Sequence, residues 1–107
     1  MFNISSLYPK KEGYRFDLDY YLNIHMPMSI ERLSKAKGFK GVSVEIGVDI
    51  ENPPMTSPYV AMCHYYFESI EDFMSAFMPH AGELQGDIAN YTNIEPIIQI
   101  NEVKITK

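Results

Sequence analysis

Three histidines, a single cysteine and eight tyrosines are the side chains here best able to move protons or attack an electrophile. His25 stands in the densest run of them, Phe16-Asp17-Leu18-Asp19-Tyr20-Tyr21-Leu22-Asn23-Ile24-His25-Met26-Pro27. Imidazole changes charge between about pH 5 and 8, which suits general acid–base work. In a helix begun at Asp17, whose side chain can cap free backbone N–H groups, Leu18, Tyr21, Leu22 and His25 share one face. Pro27 lacks an N–H and biases Met26 away from the helical region, so the helix is expected to break or kink just after His25. The imidazole would then lie beside a helix end, where unbonded carbonyls and the dipole favour its protonated form. Two roles fit that position: proton transfer to a bound molecule, or a buried histidine bonded to the carbonyls that Pro27 frees.

The elements that must position these groups follow from the pattern of the chain. Met1 to Tyr8 reads as a strand, and Pro9 to Gly13 as a turn. Asp17 to about Lys37 reads as helical, interrupted near Pro27, with Gly38 as the stop. Gly41 to Ile50 alternates, with Val42, Val44, Ile46 and Val48 on one side and Ser43, Glu45, Gly47 and Asp49 on the other. Three prolines make residues 51–58 a loop. Tyr59 to Phe67 is a strand rich in aromatic residues. Ser69 caps a second helix through Phe77, with Asp72 three residues on. Pro79 begins a further short helix, and Ile94 to Ile105 is the last strand, with Pro96 suiting an edge.

This β-α-β-β-α-β order, with right-handed crossovers, gives an α+β, ferredoxin-like fold. Its four-stranded antiparallel sheet carries both helices on one face. On the strand over residues 59–67, Tyr59, Ala61, Cys63, Tyr65 and Phe67 form one set. The small Ala61 and Cys63 suit close helix approach, so that set is assigned to the helix side, along with the candidate His25. Val60, Met62, His64 and Tyr66 fall on the other face with Leu7, Ile97 and Val103. That is too much apolar surface for a solvated sheet, and two such sheets face to face would cover it, so a homodimer is expected. His64 is placed at that interface.

Composition narrows the function classes. A chain of 107 residues is one domain, 1–107, and 46% hydrophobic content excludes a disordered or low-complexity tail. The net charge of −5 argues against nucleic-acid partners, and Arg32, Lys35, Lys37 and Lys40 read as complements of a helix C-terminus. No apolar run approaches the roughly 18 residues that span a bilayer, and no signal-peptide pattern opens the chain, so no membrane partner and a cytoplasmic location are expected. One cysteine forbids an internal disulfide or a thiolate-rich zinc site. His25, His64, His80 and Glu45 lack close ligand spacing, so no metal is expected. Phosphate loop, dinucleotide fingerprint and serine elbow are all lacking.

The element order, Tyr8-Pro9-Lys10-Lys11, the Phe16…Tyr20-Tyr21…His25-Met26-Pro27 segment and Phe67-Glu68-Ser69 together resemble the EthD family. That family is named for ethyl tert-butyl ether degradation, and the resemblance covers nearly the whole chain. It implies a dimeric α+β barrel with a small-molecule cavity between sheet and helices. The wider superfamily includes lactone isomerases, cyclase-like and anthrone-oxidising enzymes, and heme-binding proteins; a heme on His25 or His80 rests on that analogy alone, and no cofactor is expected.

In such a cavity His25 and Tyr65 are the catalytic candidates, the phenol of Tyr65 donating to a substrate carbonyl or enolate. A lactone-isomerising relative implies a functional cysteine where Tyr65 stands, a departure that weighs against thiol chemistry here. Tyr21, Cys63 and His80 are the substrate-binding candidates, against bland alternatives of core packing for Tyr21 and Cys63 and a solvent-facing His80. The functional expectation is a small protein binding a hydrophobic molecule. It would act as a cofactor-independent isomerase, cyclase or oxygenase in degradation or secondary metabolism. The alternative is a noncatalytic accessory or binding protein of a multi-component catabolic system.

Overall fold

A computed structural model describes residues 1–107. The long strands are Phe2–Pro9 (β1), Phe39–Ile46 (β2), Tyr59–Phe67 (β3) and Ile97–Glu102 (β4), forming one antiparallel sheet in the order β2-β3-β1-β4. That order is the ferredoxin-like arrangement expected from β-α-β-β-α-β connectivity. One helical column, α1, spans residues 18–33; Ile70–Phe77 (α2) and Ala81–Gly86 (α3) follow β3.

The capping signals act as the sequence suggests. Asp17 Oδ1 accepts the Tyr20 N–H at 3.1 Å, and Ser69 Oγ accepts the Asp72 N–H at 3.0 Å. Pro27, however, does not break α1. The column widens into a π turn over Tyr21–His25, where the Met26 N–H reaches back to the Tyr21 carbonyl, and resumes as α-helix over Met26–Leu33. Pro27 thus falls at the start of the resumed α-helix, where its missing N–H is least costly. The extra residue in that turn also rotates the buried face. Tyr21, His25, Met26, Ser29 and Leu33 turn inward, whereas Leu18 and Leu22, expected on that face, are 38% and 43% exposed. The column ends at Leu33, earlier than expected. Gly38 has φ 84°, and a Cβ there would collide with the Asp72 side chain, so glycine is required for the return to the sheet.

Strand register assigns the two faces. Ile4 lies opposite both Tyr65 and Ile100, and Ser6 opposite Cys63 and Ile98, so these residues share the helix side. Val42 and Val44 join them through Tyr65 and Cys63. Beneath the helices the core divides by chemistry. Phe39, Phe67, Phe73 and Phe77 pack in series with centroids 5.8, 5.5 and 5.4 Å apart, the first two contacts edge-to-face and the last stacked. Tyr8, Phe16, Tyr21 and Tyr91 form a second cluster, the one that surrounds His25.

The outer face is less apolar than expected. Leu7, Met62 and Tyr66 are half-buried and Ile97 exposed, but a polar strip runs among them. Ser5 Oγ donates to Asn3 Oδ1 at 2.6 Å and lies 2.7 Å from His64 Nδ1, and His64 Nε2 lies 3.1 Å from Glu45 Oε1. Strand ends also differ: β2 stops at Ile46 and β4 at Glu102. The proline-rich loop contains a two-residue ribbon, Ile50–Glu51 with Pro54–Met55, because pairing this short requires few donors.

Candidate functional site

Between the helix side of the sheet and the helices lies a cavity of about 520 Å³, lined by 21 residues of which 15 are hydrophobic. The volume falls within the usual range for small-molecule sites, about 300–1,000 Å³. Its floor is buried (Ile4, Tyr8, Tyr21, His25), while Met78, Ile98, Gln85 and Glu95 are exposed and mark the mouth.

Four of the five candidates from the sequence line this space: His25, Tyr65, Tyr21 and Cys63. His80 does not. It is half-buried in the tight turn Met78–His80 between α2 and α3, outside the lining.

His25 bonds to a side chain rather than to backbone carbonyls. α1 continues through Pro27, so no helix end lies beside the ring, and the negative charge there comes from Asp87. His25 Nδ1 lies 2.9 Å from Asp87 Oδ2, with side-chain exposures of 9% and 14%. Asp87 also accepts the Tyr20 hydroxyl at 2.6 Å and the Asn90 amide at 2.9 Å, both on Oδ1. Burial tends to raise the Asp87 pKa, but the hydrogen bonds from Tyr20, Asn90 and His25 prevail and hold it below the ordinary carboxylate value. An ionised Asp87 facing Nδ1 fixes the tautomer with hydrogen on Nδ1 and leaves Nε2 as the basic nitrogen. Nε2 has no protein partner. The only sealed side-chain polar atom without a partner is Tyr21 Oη, so Nε2 opens to solvent-accessible space. The ring is held by Tyr91 at 4.7 Å and Tyr21 at 6.0 Å between centroids, contacts that restrict its rotation.

The phenols are donors rather than bases. Burial keeps Tyr65 and Tyr21 protonated well above neutrality, and pushes Tyr8 to about 12 against the opposing hydrogen bond from Tyr91. Tyr65 Oη lies 2.6 Å from Ser29 Oγ, and Tyr8 Oη 2.6 Å from Tyr91 Oη. If Ser29 donates, the Tyr65 proton is free for an oxygen in the cavity. Cys63 is buried, and desolvation, then the charge of Glu45, raises its thiol to about 12, which removes the thiolate at neutral pH. No group of three or more metal-ligating side chains occurs.

Asp87, Ser29, Tyr91 and Asn90 were not singled out from the sequence, and Tyr20 only as part of the segment that carries the resemblance. Ser29 carried a signal, being four residues beyond His25, but an expected break at Pro27 concealed their common face. Asp87 and Asn90 are an i, i+3 pair in a mixed stretch that also holds Glu83 and Gln85, so local pattern does not set them apart, and 62 residues of separation hid the link to His25.

The EthD domain model matches residues 14–95, which includes the His25–Asp87 pair and Tyr65. The chain belongs to the EthD family. An EthD-like protein from Ralstonia eutropha JMP134, known as a crystal structure, is similar at 40% identity and TM-score 0.86, over 99% of this chain and 94% of that one. An EthD family protein from Bacillus halodurans C-125 has 18% identity and TM-score 0.64, over 97% of this chain and 99% of that one, a likeness of fold. No curated protein matches the chain. No helix of this EthD-family chain is long and apolar enough to cross a membrane.

Proposed function

We propose that this EthD-family protein binds a hydrophobic small molecule in the cavity and transfers a proton through His25 Nε2 without a cofactor, as an isomerase, cyclase or oxygenase would require. The observation that carries this reading is the Asp87–His25 pair, whose outer nitrogen is free beside an apolar cavity. The Nε2 lone pair takes a proton from a carbon beside a carbonyl, and the C–H electron pair passes to the carbonyl oxygen as an enolate. Tyr65 donates to that oxygen, Asp87 stabilises the imidazolium, and return of the proton to another carbon completes an isomerisation. The working unit is a homodimer joined through the outer sheet face, in the cytoplasm.

A noncatalytic binding or accessory role is favoured by a different feature: Tyr65 and Ser29 already satisfy each other, and Tyr21 Oη is sealed. A single experiment separates the two. α-Tetralone, a ketone with exchangeable protons beside its carbonyl, is incubated with the protein in heavy water and followed by proton NMR. Accelerated exchange that drops about a hundredfold or more in His25→Gln supports proton transfer. Binding without accelerated exchange supports the accessory role.

A further inference from the structure

We propose that the cavity takes uncharged molecules bearing a carbonyl or similar oxygen and excludes anions, with Glu95 at the mouth enforcing the choice. This rests on the ligand-cavity reading above and narrows it to a class of ligand. None of the nine Lys and Arg residues lines the cavity. Arg32, on the same helix as His25 and Ser29, is held at the surface by Glu83, with Nε–Oε1 at 2.5 Å and a second contact at 3.1 Å. Arg15 donates to the Ala89 carbonyl and Lys11 to the Asn93 carbonyl, so the cations flanking the segment that carries Asp87 are occupied at the surface.

Negative charge is placed the opposite way. Glu95 is in the lining at the exposed mouth, and Asp87 stands behind His25. A protonated His25 does not offset this, because Asp87 already pairs with it. An entering carboxylate therefore meets Glu95 in the lining and, when His25 is neutral, the charge of Asp87 behind it, with no Lys or Arg to pair with, and loses its water among mostly hydrophobic walls. Burying a charge unpaired is among the costliest steps in binding. A ketone or similar neutral oxygen loses far less and finds a donor in Tyr65 and a base in His25. The buried phenols and the Cys63 thiol remain neutral near pH 7, so they add no charge to the wall.

The test compares α-tetralone with tetralin carboxylate, a ligand of matching ring size, by titration calorimetry or NMR shift on wild type and Glu95→Lys. The expected result is that wild type binds the ketone and takes the carboxylate at least about a hundredfold more weakly. In Glu95→Lys that ratio should narrow by about tenfold or more, as an opposite charge now faces the anion. A carboxylate bound by wild type as tightly as the ketone overturns the proposal, as does a ratio unmoved in Glu95→Lys. Binding of neither compound overturns the ligand-cavity reading itself, which distinguishes that failure from a failure of charge selection.

Discussion

His25 and His64 each face a carboxylate at nearly the same distance, 2.9 Å to Asp87 and 3.1 Å to Glu45, on opposite sides of one sheet. The pairs differ in what surrounds them and in what the second nitrogen does. Asp87 is 14% exposed and takes three hydrogen bonds; Glu45 is 57% exposed. His25 leaves Nε2 without a protein partner beside a cavity, whereas both ring nitrogens of His64 are occupied, by Ser5 and by Glu45. A histidine–carboxylate distance alone therefore says little about chemistry. A free nitrogen, low exposure and an adjoining space are what single out His25 for the proposed function.

The sharpest way to separate the two faces acts on the outer one. Met62→Lys should weaken self-association by roughly a hundred- to a thousandfold, because it places an unpaired charge in the proposed contact. Sedimentation at micromolar concentration should show twice the chain mass for wild type and the chain mass for the variant; a wild-type monomer would remove the interface and leave the outer strip merely solvated.

The histidines themselves come next. His64→Gln should leave ketone exchange within about twofold of wild type, in contrast to the hundredfold loss expected for His25→Gln. Its stability should change by about 1 kcal/mol or less, because Glu45 is 57% exposed and solvent screens the pair through it. Equal losses of exchange in the two variants would erase the distinction drawn between the pairs.

The smaller effects concern Asp87. Asp87→Ala should cost about 1–3 kcal/mol in urea unfolding, since it strands the Tyr20, Asn90 and His25 donors. The sign of the pH dependence follows from its depressed pKa. Stability from this group is fully present above the unfolded carboxylate value, about 3.9, and is lost as pH falls through the lower folded value. Wild type should therefore lose stability on acidification below about pH 4 more steeply than Asp87→Ala. Asp49 and Glu83, also depressed, leave the variant a residual slope. Identical acid slopes would show that the Asp87 hydrogen bonds add nothing to the folded state.

Local and periodic features were legible in the sequence because they depend on neighbours a few residues apart. Asp17 and Ser69 cap helices through groups three residues away, and alternation along β3 assigns Cys63 and Tyr65 to the helix side. The element order then fixed the ferredoxin-like topology, since handedness and short connections leave few alternatives. The break expected at Pro27 does not occur, because its ordinary cost assumes a regular α-helical ladder and the column is irregular just before it. A π turn changes that ladder, and it turns Tyr21 and His25 onto Tyr91, a partner distant in sequence.

Tertiary structure alone decided which acid faces His25, that Ser29 meets Tyr65, and that His80 lies outside the cavity. It also decided that a polar strip crosses the outer face, because Ser5, His64 and Glu45 come from three strands whose register local pattern does not specify. Each of these contacts joins residues distant in sequence, and side-chain type constrains such partners far less than it constrains a helix cap or a strand face.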